Sequence, residues 1–292
     1  MTAIYQRELR SYFVGMFGWF YLALWLAVGG VLTAIYNLIS ASSDLTYLFQ
    51  QSVWLLILTL PFLAARCFEE RTSSGMELWL ASLPVSRKNL ILGKYFAALT
   101  VFAIPVLFTA IYPPLLANYG EVSYGATYTA LGGFFIMGAA WLAICFFVSS
   151  RVRRFRTAVL LSLLFGVILY LLPLLATILS YLPLIGFAIC VVVALSVGSV
   201  IGLRRRSWWW GLLLSVVPTA LFTVGYFLLP TVYTVWIPKG IRAISLFARF
   251  DGFCSGHLDI PATVFYLGVL VIFICFVVQY PAMQTKKGGA KQ

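Results

Sequence analysis

The chain has 292 residues, 62% of them hydrophobic and only 10% charged, with a formal net charge of +12 and a mean hydropathy of +1.00. Soluble domains carry about 25% charged residues, so this chain lacks the polar side chains to cover a globular surface, and a soluble fold is excluded. Only helices and closed barrels satisfy their backbones inside lipid. The apolar runs here are continuous over about twenty residues, the length of a spanning helix, and lack the alternation of barrel strands.

The expected fold is therefore an all-α polytopic membrane protein of about eight transmembrane helices, forming a single domain over residues 1–292. Residues 1–12 read as an amino-terminal amphipathic segment with Arg7 and Arg10. The first span covers about Phe13 to Ile39. It is longer than the apolar core of a signal peptide and has no small-residue cleavage site, so it is expected to be retained. The second span, Tyr47–Ala65, leads into a polar segment over 66–94. Tyr95–Ala117 and Thr127–Ser149 are the third and fourth spans, joined by the turn Asn118–Gly125. After the basic run Arg151–Arg156 come Thr157–Leu179 and Pro183–Leu203. If these two form a re-entrant hairpin, the count of spans falls to six. The run "RRRSWWW", Arg204–Trp210, places guanidiniums at headgroups and indoles in the interfacial belt, and opens the seventh span, Trp208–Leu229. A loop at 230–260, the eighth span Thr263–Tyr280 and a tail at 282–292 complete the chain.

Charge placement orients these spans. With both termini in the cytoplasm, 17 of the 20 basic residues fall inside, and only Lys239, Arg242 and Arg249 lie outside, in the 230–260 loop. That is the positive-inside pattern of a multi-pass protein of the cell's inner (plasma) membrane. It also explains the net charge without nucleic acid, which is not expected as a partner; membrane lipid is. The cysteines, Cys67, Cys145, Cys190, Cys254 and Cys275, leave one thiol in an external loop and so form no disulfide framework. Asp251, Cys254, His257 and Asp259 have metal-ligand side chains, but one mixed cluster without a second Cys or His is weak. A loop leading into the last span explains it better, and no metal or cofactor is expected.

No predicted span carries an Asp, Glu, Lys, Arg or His in its apolar middle, which argues against an ion-coupled transporter or proton pump. A phosphate-binding Gly-rich loop is also absent, so no ATPase site is expected in this chain. One His and few acids leave little for a membrane-embedded enzyme, and no catalytic residue is assigned. Chemistry of another kind is concentrated in 66–94, where eight charged residues stand between two apolar spans. Ser74 and Glu77 fit a capping box. Met76, Trp79, Leu80 and Leu83 fall on one helical stripe, and Pro84 ends it. A helix this short cannot span a bilayer. The residues alone leave two readings open: an interfacial helix without a partner, or a helix that enters a groove on a soluble protein.

The stretch "FEERTSSGMELWLASLPVSRKNLILGKYFAAL", Phe68–Leu99, resembles the coupling segment of ABC-2-type exporter permeases, with matches at Glu70, Arg71, Gly75, Glu77, Leu78, Leu83, Pro84, Val85, Ser86, Gly93 and Lys94. The family's Gly-Thr pair is Gly75-Met76 here. "IYQRELRSYF", Ile4–Phe13, is similar to the family's amino-terminal helix at Arg7, Glu8 and Leu9. Phe250, Phe253, Gly256 and Asp259 resemble the closing region of the gliding-motility-type subgroup. The resemblance implies a membrane-spanning permease subunit of an ATP-binding-cassette exporter. Two permease chains, identical or related, would pair with separate ABC ATPase subunits. A short cytoplasmic coupling helix would dock in the ATPase, with Glu69, Glu70, Arg71, Ser74, Gly75, Glu77, Leu78, Leu83 and Pro84 as the coupling residues. The alternative is a permease-like scaffold that transmits force without transporting.

Overall fold

The computed structural model describes residues 2–39, 45–69, 87–117, 122–152, 154–181, 195–196, 219 and 235–279. The described residues are helical throughout apart from short turns. They comprise α1 (Thr2–Val14), α2 (Met16–Thr33) with a π-helical extension (Ala34–Ile39), α3 (Thr46–Glu69), α4 (Arg87–Thr109) and α5 (Tyr112–Leu116). These are followed by α6 (Tyr124–Arg151), α7 (Phe155–Tyr181), α8 (Ile237–Ile244), a 3-10 turn (Ala248–Phe250), α9 (Asp251–Cys254) and α10 (Ile260–Gln279). Six of these segments are long and apolar enough to cross a membrane: Met16–Ile39, Thr46–Phe68, Lys88–Leu116, Tyr124–Arg151, Phe155–Tyr181 and Ile260–Gln279. They coincide with six of the eight expected spans. Of the other two, Pro183–Leu203 and Trp208–Leu229, only Leu195, Ser196 and Thr219 are among the described residues, and the tail lies outside them. Part of the 230–260 segment, expected to be a loop, is built of α8, the 3-10 turn and α9.

The chain divides into two compact units, Met1–Val167 with Arg249–Gln292, and Ile168–Ala248. In the first, α6 is the central element, packing most extensively on α3 and α10. Its small residues explain why. A Cβ on Gly138 would lie 2.4 Å from the Phe102 ring, and one on Gly133 would lie 2.4 Å from that of Phe253. Aromatic rings thus sit where side chains are missing on α6, the close approach by which helices associate without a hydrophobic driving force. Trp25, Phe102, Phe134 and Phe250 continue this packing with ring centroids about 6 Å apart, in mostly edge-on or tilted geometry.

Several polar side chains within the bundle find partners on the backbone or on one another, which offsets their burial away from water. Ser52 and Thr59 donate to the carbonyls one turn back, at Leu48 (2.6 Å) and Leu55 (2.7 Å). Trp25 Nε1 donates to Thr59 Oγ1 at 3.2 Å, tying α2 to α3. Tyr95 donates to the Ala139 carbonyl at 2.8 Å, tying α4 to α6. In the second unit, Arg242 on α8 donates to Thr177 Oγ1 at 3.2 Å, and Tyr170 packs edge-on against Phe247.

The entry to α10 shows what the closing motif does structurally. Phe250 and Phe253 are buried, Gly256 takes φ +82°, a conformation that side chains disfavour, and Asp259 Oδ1 accepts from the Ala262 amide at 3.2 Å. Asp259 is thus a helix cap, and Asp259→Ala is expected to lower stability by about 1 kcal/mol while Asp259→Asn retains most of it. Thermal unfolding in detergent measures this. Among the described residues, no three His, Cys, Asp or Glu side chains gather in a metal-holding group.

Candidate functional site

The site begins with spacing on the first helix. Ile4 and Tyr5, Glu8 and Tyr12 recur one turn apart, so they share one face of α1. Of these, Glu8 and Tyr12 are buried, so the packed face of α1 is partly polar. Gly93 on α4 makes room for this helix: a Cβ there would stand 3.0 Å from the Ile4 side chain. Two turns further along α4, Thr100 shares a hydrogen bond of 3.0 Å with Tyr5.

At the centre of the junction lies Lys94, 2% exposed. Its Nζ donates to the Cys67 carbonyl at 2.6 Å and lies 3.4 Å from Glu8 Oε1. Glu8 also accepts from Arg7 Nη2 at 2.9 Å, whose side chain is 41% exposed. The Cys67 carbonyl belongs to the last turn of α3, where carbonyls have no intrahelical donor and a cation is favoured by the helix dipole. Lys94 therefore meets two negative partners, a carboxylate and a helix terminus. Tyr12 completes the junction by donating to the Leu63 carbonyl at 2.9 Å, with its hydroxyl 2.8 Å from Cys67 Sγ. Burial, aided by the neighbouring thiol, holds the Tyr12 phenol well above its ordinary pKa, so it remains a neutral donor. Close by, the Arg66 guanidinium stands 5.0 Å over the Phe17 ring, at the Gly15 corner between α1 and α2.

Three helices thus converge: α1 from its middle onward, the last turn of α3 and the early part of α4. α3 ends at Glu69 and α4 begins at Arg87, so the junction lies at the two attachment points of segment 70–86. Of the residues expected to couple, Glu69 is the final residue of α3. Glu70, Arg71, Ser74, Gly75, Glu77, Leu78, Leu83 and Pro84 lie outside the described residues, as does the expected coupling helix. In the sequence, Lys94 reads as a marker of membrane orientation and a family motif position; nothing there announces a buried ion pair with Glu8. No linear spacing links residues 86 positions apart. The available signal is that Glu8 is the one acid in the first helix and Lys94 one of the bases that directly adjoin an apolar span.

Residues 23–203, more than half of the chain, match the family model described as ABC-2 family transporter protein. The chain belongs to the ABC-2 transporter permease family. No curated protein and no solved structure matches it. As an ABC-2 permease it is a multi-pass membrane component of an ABC transporter, a family of transmembrane subunits that typically lack an ATPase site of their own. Its buried junction lies within and just before the matched region: Cys67 and Lys94 fall inside it, and Glu8 precedes it.

Proposed function

We propose that this ABC-2 permease is the membrane-spanning subunit of an ATP-driven exporter, coupled to a separate nucleotide-binding subunit through segment 70–86. The observation that carries this reading is the junction. The two helices that bound segment 70–86 are joined to each other and to α1, which supports the reading that force applied to the segment reaches the bundle. Residues Glu69, Glu70, Arg71, Ser74, Gly75, Glu77, Leu78, Leu83 and Pro84 carry the contact, and none performs chemistry. The absence of a phosphate loop in the sequence requires energy from another chain.

The positive-inside distribution supports placing both termini and segment 70–86 on the cytoplasmic side of the inner membrane. Two permease chains and two ATPases make up the working unit. Phe250, Phe253, Gly256 and Asp259 support a position near the gliding-motility-type subgroup. The short capped helix expected at 74–83 sets how the segment fits a groove: an apolar stripe inserted between acidic and basic flanks.

Purification of the chain in detergent with a candidate ABC ATPase of the same cell tests the reading. Wild type is expected to co-elute with the ATPase, and Glu70→Arg with Glu77→Arg to release it. Co-elution undiminished by charge reversal, or no binding by wild type, overturns the docking role.

A further inference from the structure

We infer that Lys94 is the positioning residue that passes movement of segment 70–86 to α1, an inference that rests on the reading of that segment as the ATPase dock. Cys67 lies two residues before the end of α3, and Lys94 seven after the start of α4. The 2.6 Å bond from Lys94 Nζ to the Cys67 carbonyl therefore ties the two arms of the segment to each other. The 3.4 Å pair with Glu8 adds α1 to the same ammonium group. One side chain thus joins the middle of α1, the end of α3 and the early part of α4.

The choice of a charged group at this position is informative. A buried ion pair contributes little to stability compared with well-packed apolar residues of similar volume, and its best-attested use is to fix register. Attachment of α1 does not depend on it. Ile4 against Gly93, Tyr5 with Thr100 and Tyr12 with the Leu63 carbonyl all hold α1 to α4 and α3 without Lys94. The Ile4 contact is apolar and allows sliding, and Tyr5 and Tyr12 each tie α1 to a single neighbour through a neutral hydroxyl. Lys94, by contrast, joins a carbonyl of α3 and a carboxylate of α1 at one charged group. Loss of Lys94 therefore leaves α1 docked but no longer tied to both arms at once.

The test uses spin-label distances in the full chain bound to its ATPase, with Cys190, Cys254 and Cys275 replaced by serine. One pair joins Gln6→Cys on exposed α1 to Gly125→Cys at the start of α6, and the other joins Ser73→Cys to Gly125→Cys. Both distances are measured without nucleotide and after trapping with ATP and vanadate. In wild type both are expected to change. In Lys94→Met, ATPase binding and the 73–125 change persist, while the 6–125 change falls by more than half. Lys94→Arg restores it. The exchange Glu8→Lys with Lys94→Glu does not, because a carboxylate at position 94 cannot donate to the Cys67 carbonyl. A 6–125 change of wild-type size in Lys94→Met, or full recovery in the exchange variant, overturns the inference while the docking reading stands. A 6–125 distance that is static in wild type also overturns it. If wild type retains no ATPase, the docking reading fails first and the inference falls with it. Should Lys94→Met not assemble, Lys94→Arg and the exchange variant decide the outcome.

Discussion

Glu8→Ala is expected to destabilise the protein by about 3–5 kcal/mol, the cost of leaving a buried charge without its partner. Lys94 is 3% exposed at the side chain. Without Glu8 it retains one acceptor, the Cys67 carbonyl. Lys94→Met is expected to cost less, about 1–3 kcal/mol. Glu8 then keeps its 2.9 Å contact with partly exposed Arg7, and the main loss is the donor to the Cys67 carbonyl. Combining Glu8→Ala with Lys94→Met removes both charges, and its cost should fall well short of the sum of the single changes. Thermal unfolding in detergent, run on the four proteins of the cycle, measures this coupling. Equal and additive costs would show that the two side chains do not act as a pair.

The second large effect is expected at Gly138. A Cβ there would stand 2.4 Å from the tip of the Phe102 ring and 3.3 Å from Leu56 Cδ2. Phe102 has no room to retreat, being fully buried between Trp25, Phe134 and Phe135 at centroid distances of 5.8–6.5 Å. Gly138→Val should therefore cost about 1–3 kcal/mol or more through overpacking. Phe102→Leu in the same chain should recover part of the loss by vacating the ring's volume. Gly132, which has no atom within 4 Å of a Cβ position, provides the control. Gly132→Ala should be neutral or stabilising by up to about 1 kcal/mol, since alanine favours helix more than glycine. If Gly132→Ala and Gly138→Val behave alike, the packing of rings over glycines does not hold α6 in place.

These two sites show what the sequence does and does not reveal. Continuous apolar runs, cut by charged clusters, mark the six described spans because a bilayer forces helix length and polarity to agree. The end of α2 and the start of α4 are less legible. The π-helical extension at Ala34–Ile39 leaves no trace in hydropathy. Lys94 reads as the residue just before a span, whereas burial and pairing hold it inside the helix. Pairing of Glu8 with Lys94, and of Gly138 with Phe102, depends on which helices lie side by side. Composition and periodicity describe one helix at a time and carry no such information. The closing region is legible as a motif, but its meaning is local: Phe250 and Phe253 fill space against α6, Gly256 turns the chain and Asp259 caps α10. Segment 66–94 stands out in the sequence alone because charge is costly inside lipid, and a cluster of it between two apolar spans marks a stretch outside the apolar core.

The most direct test of ATP-driven coupling is the ATPase rate of a candidate partner ABC ATPase in lipid vesicles, measured alone and with the permease. The permease alone is expected to hydrolyse no ATP, and its presence to change the rate of the ATPase. Glu70→Arg with Glu77→Arg should return that rate to the value of the ATPase alone. An ATPase rate indifferent to the permease, or unaltered by the charge reversal, would contradict the claim that segment 70–86 couples this chain to an ATP-driven partner.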